Sequence, residues 1–128
     1  MKLELAAFIG ALFMFLGVLL GALGSHALQE KLGQDSLSSF MIAIRYMMFH
    51  GLALLMLSTL PYLSISSKEW IALAFVSGIL LFSVSILLLS TKQIHGISVS
   101  FLGPITPIGG FLLILGWGYL SVMLFKEL

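Results

Sequence analysis

The chain has 128 residues, 60% of them hydrophobic and 9% charged, with a mean hydropathy of +1.18 and a formal net charge of +1. Soluble domains carry about 25% charged residues, and one of this size has no interior for so much apolar surface, so the composition predicts one integral membrane domain over residues 1–128. The near-neutral balance leaves no nucleic-acid footprint, and the lack of cysteine excludes disulfides, iron–sulfur clusters and thiol-dependent membrane oxidoreduction.

A spanning helix needs about 20 apolar residues. Four runs meet that need, at about 5–23, 37–60, 70–90 and 104–125. The first resembles a secretory signal in having Lys2 ahead of it and Ala22-Leu23-Gly24 behind it. Its apolar core is longer than the usual signal core and Glu4 is out of place in a basic leader, so it is read as a span. Gly10, Gly17, Gly21 and Gly24 fall on one stripe of this helix at about 100° per residue. Such a stripe predicts a close helix–helix seam, with a pore or ligand groove as the alternative. After it, Ser25 is expected to cap a short interfacial helix, Ala27 to Leu32, stopped by Gly33.

The second run, capped by Asp35 or Ser36 and ended by Pro61, contains the chain's one arginine. Arg45 lies about 12–14 Å from the nearer end of its span at 1.5 Å per residue. A cation at depth costs roughly 2.5–3.5 kcal/mol on insertion scales, so it needs an acceptor. No acid lies in any apolar core. The candidates are Glu30 or Asp35 if the first loop folds inward, the carbonyls around Gly103–Pro107, or a lipid phosphate. Proline lacks an N–H, which frees nearby carbonyls to accept from a guanidinium, while the free N–H groups at the start of the fourth helix favour anions. On the same helix Ser39, Ala43, Tyr46, His50 and Ala53 form a stripe of small and polar residues. His50 is expected to hydrogen-bond across a helix interface, with a proton or ligand role as the alternative. It points about 140° away from Arg45, so the two need not share a pocket.

Ser66-Ser67-Lys68-Glu69 reads as a capping box opening the third span at Trp70. The loop 91–103 is apolar but broken by Gly96, Ser98 and Ser100. Thr106-Pro107 reads as a cap and first residue of the fourth helix, and Gly109 and Gly110 are further small positions for close packing. The three histidines lack metal-ligand spacing and only His50 is mid-span, so neither a metal nor a bis-histidine haem is expected. The seven methionines read as packing filler.

Three blocks carry a resemblance: Gly21-Ala22-Leu23-Gly24-Ser25-His26-Ala27-Leu28, then Arg45-Tyr46-Met47-Met48-Phe49-His50-Gly51-Leu52-Ala53-Leu54, then Gly103-Pro104-Ile105-Thr106-Pro107-Ile108-Gly109-Gly110 with Gly116-Trp117. In this order they resemble the YgdD/YwdK-like family, small bacterial inner-membrane proteins with a domain of unknown function and animal relatives. Ser25 and Phe49 depart from a frequent alanine and tyrosine. The resemblance implies four membrane helices in the bacterial inner membrane, implies no catalytic residue, and directs attention to His26, Arg45, Tyr46, His50, Thr106 and Pro107.

The expectation is an all-α membrane four-helix bundle, with a short interfacial helix after the first span. It is read as a non-enzymatic accessory or interaction protein without cofactor, its partners being membrane lipids, a second copy or another membrane protein. The candidate headgroup or anion site is His26, Arg45, Tyr46, His50 and Thr106. The alternative is a small homo-oligomeric channel or transporter for a polar or anionic solute. Small multidrug exporters have a mid-span carboxylate and fluoride channels a pore asparagine, and this chain has neither. Four spans place both termini on one side, side A, with Lys2, Lys68 and Lys126, against Lys31 and Lys92 on side B. The excess predicts a cytoplasmic side A. A reporter fused at Leu128 is expected to read cytoplasmic; a uniformly external signal refutes this orientation, and a mixed signal indicates dual insertion.

Overall fold

Lipid offers backbone groups no hydrogen-bond partner, so each span must satisfy its own. The computed structural model describes all 128 residues and shows four helices long and apolar enough to cross a membrane. They are α1 (Leu3–His26), α2 (Gln34–Leu57), a composite third span and α6 (Ile105–Phe125). The third span is α3 (Ile65–Ile79), a π-helical turn (Leu80–Val84) and α4 (Ser85–Ser90), joined end to end. The short α5 (Lys92–His95) and a 3₁₀ turn (Ser100–Leu102) lead to α6. Gly96, with φ of 66°, ends α5 in the left-handed conformation that glycine adopts without a Cβ penalty.

Several ends differ from expectation. Residues 27–32 are not a helix but hydrogen-bonded turns, with Leu28 N donating to Leu23 O (3.0 Å) and Leu32 N to Leu28 O (2.9 Å). The Ser25 hydroxyl, expected as a cap, donates back to the Gly21 carbonyl at 3.0 Å inside α1. Gly33, not Asp35 or Ser36, stands at the start of α2 and offers no side-chain cap. The third span opens two residues before the expected box: the Ser67 amide donates to Ser64 Oγ (3.1 Å), and the two hydroxyls meet at 2.9 Å. Thr106 lies inside the first turn of α6, its hydroxyl donating to the Leu102 carbonyl at 3.1 Å, so it is not the cap.

Between apolar helices in lipid there is no hydrophobic drive, and close backbone approach decides which pairs form. Two glycine seams do this. In the first, antiparallel α1 and α2 cross at Gly10 and Gly51. A Cβ at Gly10 would stand 2.7 Å from the Gly51 oxygen, and one at Gly51 2.8 Å from the Gly10 oxygen. Gly17 lies under Met48, and a Cβ at Gly24 would meet the Phe40 ring at 2.8 Å. In the second, α6 lies on the third span at its π turn. A Cβ at Gly109 would stand 2.8 Å from the Gly78 oxygen and 2.7 Å from the Leu81 carbonyl carbon, and one at Gly116 2.7 Å from the Phe75 ring.

Gly21 and Gly110 differ from the rest of their stripes. An added Cβ would meet Ile44 at 3.8 Å and the Phe82 ring at 3.6 Å respectively, both ordinary contacts. The two seams make a row instead of a closed square. The third span packs on α2 and on α6, α1 packs on α2 and also touches α3, and the backbone of α6 approaches neither α1 nor α2. The interior, with Leu54, Leu57, Ile71, Phe75 and Ile79 fully buried, lies between α2 and α3.

Overpacking costs about 1–3 kcal/mol. Gly10→Ala and Gly109→Ala are expected to lower the thermal midpoint in detergent by that order, and Gly21→Ala and Gly110→Ala to leave it near wild type. Equal effects across the four would contradict the seam geometry.

Candidate functional site

The α2 polar stripe faces the third span and the gap beyond it. Ala43 and His50 are buried, and Tyr46 is 41% exposed. His50 Nδ1 lies 2.8 Å from the Tyr46 carbonyl oxygen one turn back, and the Trp117 indole N–H donates to Nε2 at 2.9 Å. An indole only donates. Nε2 is therefore the acceptor, Nδ1 carries the proton, and the ring is held neutral with both nitrogens paired.

Around this bond lies an aromatic cluster. The His50 ring stands edge-on to Phe75 at 5.1 Å, and Tyr46 packs on Phe82 at 4.7 Å. Tyr46 and His50 are thereby brought together with Phe75, Phe82 and Trp117, joining α2, the third span and α6. Trp117 was not singled out from the sequence as the partner of His50. The signal was present, because an indole N–H at mid-span has no partner in hydrocarbon and needs an acceptor, and His50 is the one mid-span imidazole.

Above and below this bridge α2 and α6 stand apart, leaving a seam open to the side. Its side-B part is a cavity of about 620 Å³ bordered by Ser36 and Ser39 of α2, Ser90 of α4, Lys92, and Thr106 of α6. Its deeper part is a cavity of about 710 Å³ bordered by Tyr46, His50, Gly110, Ile114, Trp117 and Gly118. Phe82 borders both. Thr106 thus belongs to the same seam as Tyr46 and His50, in its upper part.

Arg45 and His26 do not join it. Arg45 is exposed and makes no hydrogen bond or ion pair within the protein; the one ion pair joins the amino terminus to Glu69 at 4.0 Å. The expected protein acceptors, Gly103–Pro107 or the first loop, are not used. On α2 Arg45 lies roughly 180–200° from the buried Ala43, Met47 and Leu54, so it points straight out of the bundle. Its depth follows from the α1–α2 register. Gly24 lies beside Phe40 and Met41, and Gly21 beside Ile44. Arg45 is therefore level with Gly21, roughly 5–8 Å below Gly24-Ser25-His26 at the side-B end of α1 and about 16 Å below the start of α2. His26 is exposed at the end of α1, outside the seam.

Two other polar groups have structural partners. Lys68, counted among the side-A lysines, is 8% exposed, and its Nζ donates to the Ser58 carbonyl at 3.3 Å. It places a cation at the C-terminal end of α2, where the helix dipole favours one. His95 accepts from the Ile97 amide (3.0 Å) and donates through Nε2 to the Leu88 carbonyl (2.9 Å), closing the end of the third span.

The sequence pattern of a family described as "Protein of unknown function (DUF423)" matches residues 20–110. Among similar proteins are the UPF0382 membrane proteins of Staphylococcus aureus (bovine strain RF122), 38% identical, and of Staphylococcus haemolyticus, 35% identical, each over 97% of this chain and 98% of the relative. That of Staphylococcus saprophyticus is 37% identical over 92% of this chain and 94% of the relative. No solved structure matches the chain.

Trp117→Phe removes the donor to His50. Interhelical hydrogen bonds in membranes are worth about 0.6 kcal/mol on average and up to ~1.7. A thermal double-mutant cycle of His50→Phe with Trp117→Phe is expected to give a coupling in that range, and a coupling of zero would contradict the bond.

Proposed function

Because the chain belongs to the DUF423 family, multi-pass membrane proteins of unknown function found in bacteria, its task is read from its geometry, and we propose that it is a non-enzymatic accessory protein that binds a phospholipid headgroup through Arg45. One observation carries this reading: an outward-facing guanidinium, without a protein acceptor, in the side-B half of the bundle, about one to two turns below the end of α1 and about 16 Å below the start of α2. A long Arg stem climbs several ångströms along an apolar surface. From that level the climbing guanidinium meets a phosphate drawn inward by local thinning of the bilayer, and its planar fork matches that phosphate in two-pronged fashion. The expense of holding a cation at this depth is then offset by the lipid. Depth and direction together make Arg45 a lipid contact in preference to a core strut.

The transport reading has less support. The seam opens laterally and is crossed by the His50–Trp117 bond, and neither imidazole nitrogen is free to pass a proton. The catalytic reading lacks a nucleophile or acid–base pair beside it. Both termini are assigned to the cytoplasmic face by the lysine excess, which places Arg45 in the outer leaflet.

Arg45→Met distinguishes a lipid contact from a structural role. It is expected to keep the thermal midpoint, since no protein partner is lost, while retention of dioleoylphosphatidylglycerol in native mass spectrometry falls about fivefold, the worth of one basic residue at an anionic surface. Arg45→Lys is expected to fall between the two. A midpoint that drops with lipid retention unchanged would make Arg45 structural and end this reading.

A further inference from the structure

The α2–α6 seam has an order along its length. At side B its apolar wall of Phe82, Ile86 and Leu89 is edged by hydroxyls and a cation. Ser90 and Thr106 donate their hydroxyls to the Leu87 and Leu102 carbonyls. Ser36, Ser39 and Lys92 remain as the free donors at the mouth, and Lys92 has no acid partner. Below Phe82 the lining becomes aromatic and apolar, with Ile114 and Trp117 beside two glycines that leave room. A Cβ at Gly118 would meet nothing within 4 Å, and one at Gly110 only the Phe82 ring at 3.6 Å.

We infer that this seam seats one phospholipid, its phosphate at Lys92, Ser36 and Ser39 and an acyl chain running down over Phe82 toward Trp117. The placement of the seam's one cation and its free serine hydroxyls at the side-B end of an apolar groove follows the order of a lipid in the side-B leaflet, and the free cation at the mouth complements a phosphate. A helix of another protein is a poorer occupant. It needs a diameter of about 10–12 Å with its side chains, and the 2.9 Å bond from Trp117 to His50 closes the seam at that level to anything as wide. A single hydrocarbon chain lies over such a bridge. This seat is separate from Arg45, which points roughly 120° away on α2 from Ser39 and Tyr46.

The test is native mass spectrometry of the full chain in detergent, titrated with dioleoylphosphatidylglycerol and, in parallel, with dioleoylglycerol, which has the same chains and no phosphate. Wild type is expected to retain one phospholipid in the seam beside the one at Arg45. Lys92→Gln is expected to weaken the seam lipid about fivefold. Gly118→Leu, which fills open space, is expected to abolish it. Dioleoylglycerol is expected to bind about fivefold more weakly than the phospholipid. Wild-type retention in both variants, or equal retention of the two lipids, overturns the inference. The Arg45→Met chain separates the two sites. Loss of all bound lipid there refutes the seam seat. Loss in Gly118→Leu but none in Arg45→Met refutes the Arg45 reading and leaves the seam standing.

Discussion

Backbone contact at Gly109 is the constraint on which the rest of this arrangement depends. With no Cβ there, α6 lies directly on the π turn of the third span, against Leu81 and the Gly78 carbonyl. The π turn widens the helix locally, and Gly109 is where α6 accommodates it. The matching contact of Gly10 with Gly51 ties α1 to α2. Each outer helix is thus committed to one inner helix by atoms that tolerate no substituent. In lipid, where apolar side chains gain nothing from leaving their solvent, such contacts decide neighbours. The consequence is a row of helices with an open side between α2 and α6.

That open side gives the polar residues their meaning. His50 and Trp117 satisfy one another across the gap, so two groups that would each be costly in hydrocarbon become a cross-strut. It holds α2 and α6 at a fixed spacing without letting their backbones touch. Ser83 is the exception: it is fully buried in the π turn and its hydroxyl has no partner. Lys68 repeats the principle at side A, where a buried cation is answered by the carbonyl end of α2. Arg45 has no such answer inside the protein, and its side of α2 faces away from the core.

The four spans were legible because hydropathy over about 20 residues is a local property of the chain. Gly10, Gly17 and Gly24 were legible as one face of a helix. That Gly21 on the same face has room for a Cβ was not, because periodicity gives direction and not distance. Gly51, Gly78 and Gly116 became visible only through the antiparallel registers that bring them opposite Gly10, Gly109 and Phe75. The π turn has neither proline nor glycine in Leu80–Val84 to announce it. His50 was readable as a buried hydrogen-bonding group, but its partner lies 67 residues away. Arg45 drew attention by its chemistry, yet its outward direction required knowing that Ala43, Met47 and Leu54 face the core.

The central claim is that glycine-set packing leaves the seam between α2 and α6 open to lipid. The chain contains no cysteine, so a single spin label can be placed at Gly118→Cys, with reference labels at the exposed Phe15 of α1 and the buried Ala72. Its accessibility to oxygen, which concentrates in the bilayer core, is the direct measurement. The account predicts a value at Gly118 close to that at Phe15. A value as low as that at Ala72 would mean that another helix closes the seam, and would contradict it.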